Sequence, residues 1–188
     1  PLIYVGDVSH APYGERPAAE VMDRCERIVG YLVARGARLI VVACNTATVL
    51  CIAQLRRHWP ALAFVGVEPG VKPAAERTRS GRIAVMTTPG TAASARLRQL
   101  IENHARDVHV HVQACPGLAG AIEGGALRGD ALMAVLEPCC HAVRAAAVDM
   151  VVLGCTHYPF VNAQIADLLG PGATLIDTGS AVAERVST

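Results

Sequence analysis

The sequence predicts an α/β fold made of two similar open parallel-sheet α/β domains with a cleft between them. Short apolar runs alternate with segments of helical period along all 188 residues, and strands alternating with helices build a mostly parallel sheet with right-handed crossovers. Runs such as LIVVA (residues 39–43) are apolar throughout, as strands covered on both faces are. One design also occurs twice. VVACNT (residues 41–46) and VLGCTH (residues 152–157) each pass from an apolar strand to a cysteine, a polar pair and a helix, with 155 − 44 = 111 residues between the cysteines. Two such units meeting at the carboxyl ends of their strands bring both cysteines to one crevice, where open α/β sheets bind ligands.

Residues 2–5 (LIYV) read as a strand ending at Gly6 and Asp7. From 18 to 35, Val21, Met22, Cys25, Ile28, Val29 and Leu32 fall on one helix face, and Gly36 stands where a helix stops. The strand at 39–43 leads through Cys44, Asn45 and Thr46 into a helix over about 47–58. Residues 63–67 form the next strand, broken by Glu68, Pro69 and Gly70. A strand at 82–86, a Thr/Gly/Pro turn and a helix over about 92–104 follow. At 108–112 valines alternate with His109 and His111, which predicts a strand with one more exposed face. A helix at 131–147, a buried strand at 150–153, a helix at about 161–169 and a strand at 174–176 complete the pattern. The first domain is expected to comprise residues 1–67 plus 177–188, and the second residues 68–176.

Composition narrows the function. Seventeen Lys plus Arg against 16 Asp plus Glu leave a net charge of +1, which supplies no general field for nucleic acid or an anionic membrane. With 52% hydrophobic and 18% charged residues the chain is not disordered. Its longest unbroken apolar stretches are six or seven residues, where a membrane span needs about 20. No basic-then-apolar leader opens it. The cysteines number seven, an odd count that reads as reduced thiols in a cytoplasmic protein rather than a disulfide framework. Lys72 is the only lysine and lies away from either cysteine turn, and no Gly-rich phosphate loop occurs. No cofactor is therefore expected, pyridoxal phosphate included.

A strand-to-helix turn is a good place for a reactive thiol, because the unpaired N–H groups and partial positive charge of a helix start stabilise a thiolate. Asn45 and Thr46 follow Cys44, and Thr156 and His157 follow Cys155. Two thiols set symmetrically suit a reaction in which one face of a carbon loses a proton and the other face gains one. A cysteine in an apolar strand is commonly just a small buried hydrophobe, and Cys25, Cys51, Cys115, Cys139 and Cys140 read that way or as surface thiols. The matching polar followers set Cys44 and Cys155 apart. Neither the Cys139-Cys140-His141 run nor the Cys44 to Cys51 spacing fits a metal-ligand pair, so no metal is expected.

At ACNTAT (residues 43–48) and GCTHYP (residues 154–159) the sequence resembles the glutamate racemases of the aspartate/glutamate racemase superfamily. GDVSHAPYGER (6–16) looks like that family's substrate loop, GVEPGVKPAA (66–75) like its interdomain segment, and ACPGLAGAIE (114–123) like its second-domain loop. LIDTG (175–179) is similar to the return into the first domain. The resemblance implies a cofactor-independent interconversion of L- and D-glutamate that supplies D-glutamate for peptidoglycan, with the active site in the interdomain cleft. It makes Cys44 and Cys155 the catalytic thiols and His157 the assistant of Cys155. It makes Pro12, Tyr13, Gly14, Asn45, Thr46 and Thr156 substrate-binding residues. In VMTTPGT (85–91), Thr88 and Thr91 stand where the family grips a substrate carboxylate, and Glu123 matches a family acid near the second half-site. The same threonines could instead cap the next helix.

The family's opening strand and DSGxGG-like turn, which supplies an Asp partner for the first cysteine, does not occur in these 188 residues. About 30 residues of that pattern, the size of a βαβ repeat, precede the point matched by Pro1. Either the sequence is a fragment, or Cys44 works without that help and this chain alone is weakly active or inactive. The sequence also stops soon after a helix begins at Ser180. Partners expected from the resemblance are the small-molecule substrate and a second copy in a homodimer, with no membrane and no nucleic acid. Rival readings are a racemase acting on another acid such as aspartate, and a non-catalytic binding or regulatory paralogue.

Overall fold

A computed structural model describes residues 2–187. Strand β1 (Leu39–Val42) pairs in parallel with β2 (Ala63–Gly66), Ile40 opposite Phe64. Helices α1 (Ala18–Val33) and α2 (Asn45–His58) pack on each other and on one face of this pair. Ile40 and Phe64 join Val21, Cys25, Val29, Cys51, Ile52 and Leu55 in one core. Because successive strand residues point to opposite faces, Leu39 and Val41 turn away from that core and stay 42% and 39% exposed. The expected cover on both faces of this strand is therefore absent; both helices lie on the same side.

The second sheet meets that expectation. Strands β3 (Arg82–Thr87), β4 (His109–Ala114), β5 (Met150–Gly154) and β6 (Thr174–Ile176) are all parallel, in the order β4-β3-β5-β6. Ile83, Val85, Met150 and Val152 face a core shared with α3 (Val71–Arg77) and, beyond the short α4 (Pro89–Ala92), α5 (Ala95–His104). Ala84, Met86, Val151 and Leu153 face the opposite core, built with α6 (Leu118–Glu123), α7 (Asp130–Ala145) and α8 (Asn162–Leu169). Two-sided burial explains why β3 and β5 read as unbroken apolar runs. After β6 the chain returns, and α9 (Gly179–Ser187) packs against β2. Among the described residues no helix is long and apolar enough to cross a membrane.

Three local expectations are corrected. Residues 2–5 are not a strand: Leu2 and Tyr4 are 95% and 86% exposed, and β1 and β2 pair only with each other. A strand without a ladder partner or a covered face has nothing to hold it. The helix expected from 92 to 104 is two, because the Ser94 hydroxyl accepts the Leu97 N–H at 3.1 Å and starts α5 afresh. Helices α3 and α6 occupy segments in which the sequence pattern had suggested none.

Candidate active site

Strands β1 and β5 each run into a turn that carries a cysteine. Cys44 is the N-cap of α2, with extended backbone (φ −148°, ψ 124°), and its sulfur accepts the Ala47 N–H at 3.5 Å. Cys155 follows β5 and is 7% exposed. Helix-start N–H groups do face both sulfurs, as the sequence argument required, but they do not decide the acidity. Burial pushes the Cys44 thiol up, against the pull of the Ala47 and Thr46 amides. Burial also pushes Cys155 up to about 12; the His157 amide pulls it down, negative charge on Cys44 raises it, and the Tyr158 amide lowers it. The expected depression is thus overturned: desolvation of the charged form outweighs the helix start. Charge on the Cys44 sulfur thus reaches Cys155 and favours its protonated form.

Cys155 has a second partner. Its sulfur lies 3.7 Å from Nδ1 of His157, whose Nε2 lies 2.6 Å from Glu123 Oε2 at the end of α6. A carboxylate only accepts hydrogen bonds, so Nε2 carries the proton toward Glu123 and Nδ1 presents its lone pair to the thiol. The imidazole is positioned to take the thiol proton, and the carboxylate to stabilise the imidazolium that results.

Three threonine hydroxyls meet beside Cys44. Thr46 Oγ1 is 2.9 Å from Thr88 Oγ1, Thr88 donates to Thr91 at 3.2 Å, and Thr91 donates to Thr46 at 3.3 Å. All three are buried. Thr88 also accepts the Thr91 N–H at 3.3 Å as the N-cap of α4, so the cap and the cluster coexist. The cluster joins α2 to the start of α4, that is, the first sheet's helices to the second sheet's.

The 6–16 loop covers this junction. The Gly14 carbonyl accepts the Gly90 N–H at 2.9 Å, and a Cβ on Gly14 would stand 2.7 Å from Thr88 Cγ2. Tyr13 donates its hydroxyl to Asp7, which also receives Arg24 at 2.9 and 2.7 Å; His10 Nδ1 lies 3.2 Å from the same carboxylate without a hydrogen bond to it. The Arg24 guanidinium, with Tyr13, outweighs burial and holds Asp7 down at about 2. Burial and the adjacent Asp7 push Tyr13 upward. Pro12 is half-buried in this loop after a cis bond.

Of the residues singled out in the sequence, Cys44, Asn45, Thr46, Thr88, Thr91, Gly14 and Tyr13 gather on one side, and Cys155, His157 and Glu123 on the other. Asn45 is buried and donates to the Val67 carbonyl at 3.1 Å, tying α2 to the end of β2. Thr156 is exposed beside Cys155. Sequence reasoning passed over Asp7 and Arg24, which hold Tyr13, and Glu15, which accepts the Gly117 N–H at 2.7 Å. Asp7 and Glu15 sat inside the quoted loop string, but their partners are remote in sequence. Two cavities, of about 440 Å³ near Tyr4, Arg24 and Tyr31 and about 470 Å³ near Leu39, Val65 and Arg96, are lined by neither Cys44 nor Cys155. Among the described residues no three His, Cys, Asp or Glu side chains cluster as a metal site would require.

The chain matches the Asp/Glu/hydantoin racemase family over residues 1–186. It is 46% identical over 185 residues to the glutamate racemase of Pseudomonas paraeruginosa, covering 98% of this chain and 70% of that protein. To the glutamate racemase of Herpetosiphon aurantiacus it is 45% identical over 184 residues, 98% of this chain and 72% of the relative. Among solved structures, glutamate racemase isoform RacE1 of Bacillus anthracis superposes with a TM-score of 0.87 at 30% identity, over 97% of this chain and 68% of that one. Escherichia coli glutamate racemase, solved with L-glutamate and the activator UDP-MurNAc-ala, gives 0.80 at 30% identity, over 95% and 68%. Sequence and fold agree along nearly the whole length, and the chain belongs to the Asp/Glu/hydantoin racemase family, alongside the glutamate racemases.

Proposed function

We propose that this chain interconverts L- and D-glutamate without a cofactor, with Cys44 and Cys155 acting on opposite faces of the α-carbon. The observation that carries this reading is the pair of cysteine turns, one held by the α2 N-terminus and the other by His157 and Glu123, with charge on Cys44 felt at Cys155. The reading is further supported by 46% identity to a protein named glutamate racemase.

Both thiols rest protonated, so the reaction begins by making one thiolate. On the Cys155 side the thiol proton passes to His157 Nδ1 and Glu123 steadies the resulting imidazolium. That thiolate takes the α-proton from one face, leaving an electron pair delocalised into the substrate carboxylate. The Cys44 thiol then delivers its proton to the opposite face and becomes the thiolate. The reverse reaction swaps the roles. Mutual repulsion between the sulfur charges favours the one-thiolate, one-thiol state that such an exchange needs. Without an electron sink, the barrier falls through placement of the thiolate against the α-hydrogen and through fixed donors at the developing charge. Thr46, Thr88, Thr91, Asn45 and Thr156 are the donors at hand, and Pro12, Tyr13 and Gly14 shape the loop that holds the substrate.

The same reading assigns residues 1–67 plus 177–188 to the first domain and 68–176 to the second, with the site in the cleft between them. It makes the product D-glutamate a peptidoglycan precursor, the protein cytoplasmic, and a homodimer its assembly.

Circular dichroism of L- and of D-glutamate incubated with the full-length protein tests the activity, with aspartate as a parallel arm. Loss of optical activity from both glutamate enantiomers is expected; turnover of aspartate alone would move the substrate to that acid, and no turnover of either would sink the reading. Cys44→Ser and Cys155→Ser in deuterium oxide test the mechanism: each should abolish α-hydrogen exchange from a different enantiomer.

A further inference from the structure

Glu15, exposed on the 6–16 loop, accepts the backbone N–H of Gly117 at 2.7 Å across 102 residues of sequence. Gly117 is the N-cap of α6, in the left-handed region at φ 73°, and has no side chain with which to cap the helix itself. A six-residue helix is marginal on its own; Leu118, Ala119 and Ile122 seat one face of it in the second sheet's core, and the Glu15 contact holds its start. Its far end carries Glu123, 2.6 Å from His157, which in turn faces Cys155. Glu15 is itself fixed on both sides in sequence: the Gly14 carbonyl is bound by the Gly90 N–H at 2.9 Å, and Arg16 grips the His10 carbonyl and Glu20.

Resting on the two-thiol reading above, we propose that Glu15 is a positioning residue for the Cys155 half of the reaction. It reaches from the first unit's loop, takes the start of α6, and thereby fixes Glu123 and His157 against the Cys155 sulfur. A carboxylate is well suited to the task because it meets an unpaired amide at the positive end of the helix. Cys44 gets its support from α2 instead, through the Ala47 amide, and does not depend on α6. The 6–16 loop and the relay proposed to deprotonate Cys155 are thus one mechanical unit.

The test uses full-length protein and both glutamate enantiomers, each with hydrogen or deuterium at the α-carbon. Glu15→Ala should lower kcat/KM about five- to fiftyfold, the scale of one charge-assisted hydrogen bond. It should also raise the primary isotope effect for the enantiomer whose α-hydrogen Cys155 removes, identified as the one whose exchange Cys155→Ser abolishes, and not for the other. Glu15→Gln retains an oxygen that accepts the Gly117 N–H and should stay within about threefold of wild type. Because the equilibrium constant between enantiomers is 1, kcat/KM falls alike in both directions for any variant; partial unfolding leaves the isotope effects untouched, so their asymmetry is specific to positioning. Wild-type rates in Glu15→Ala, or isotope effects unchanged for both enantiomers, would overturn the proposal. Wild-type protein inert toward both enantiomers would instead overturn the racemase reading on which it rests.

Discussion

Nε2 of His157 and Oε2 of Glu123 are 2.6 Å apart, joined across 34 residues of sequence at the mouth of the Cys155 turn. Their contact turns Nε2 to the carboxylate and leaves Nδ1 facing the Cys155 sulfur at 3.7 Å, as the proposed relay requires. Replacing His157 with Asn removes the proton acceptor and should lower kcat by about 10²–10⁴-fold. Glu123→Gln keeps the shape but not the charge and should lower it about 10–100-fold, the usual cost of a group that orients a reactive histidine. Steady-state circular dichroism with each enantiomer measures both. A Glu123→Gln protein at full rate would remove Glu123 from the relay.

Burial holds the Cys155 thiol up at about 12. Only the thiolate reacts with an alkylating agent, so iodoacetamide should modify Cys155 in the substrate-free protein far more slowly than a free cysteine at pH 8. The rate should still be climbing at pH 10. Peptide mapping by mass spectrometry follows it. Rapid labelling that levels off near pH 8 would contradict a desolvated thiol.

Asp7 links Arg24, Tyr13 and His10, and is held at about 2 against an ordinary 3.8. A carboxyl whose folded value lies below its unfolded one contributes stability that is complete above the unfolded value and is lost as pH falls through the folded one. That window runs from about 4 down to about 2. Asp7→Asn should lower stability by about 1–2 kcal/mol at neutral pH and flatten this part of the acid-unfolding profile. Urea melts across pH 2–7 compare the two proteins; identical profiles would leave Asp7 with no role in holding the loop.

Gly14 is there for want of a Cβ. An added methyl would stand 2.7 Å from Cγ2 and 2.8 Å from Cβ of buried Thr88, whose hydroxyl is engaged with Thr46 and Thr91. Turning Thr88 about χ1 does not move its Cβ, so the backbone on one side of this contact must shift. Gly14→Ala should cost about 1–3 kcal/mol of stability, as overpacking does, and should raise KM for glutamate by more than it lowers kcat. Thermal melts and initial rates check it, and an unchanged KM would show that the loop does not touch the substrate.

Much of this was legible in the chain. The strands at 39–42, 63–66, 82–87, 109–114, 150–154 and 174–176 were each foreshadowed by an apolar run to within a residue or two. The twin cysteine turns marked a candidate site because local sequence alone sets the strand, the turn and the helix start. The wrong strand at 2–5 shows the limit of such reasoning, since an apolar tetrapeptide says nothing of whether a partner lies beside it. The same limit hid the half-open face of β1, where two helices chose one side.

What the sequence determined by itself was therefore periodic and local: the α/β class, the order of elements, and which residues stand at the carboxyl ends of β1 and β5. Tertiary structure alone decided the acidity of the thiols, because desolvation depends on everything packed around a sulfur. It also decided the pairings of Glu123 with His157, Thr46 with Thr88, and Glu15 with Gly117, which join residues 34, 42 and 102 apart. A hydrogen bond is settled within about 3 Å of space, and no spacing along the chain encodes which distant atoms the fold brings that close.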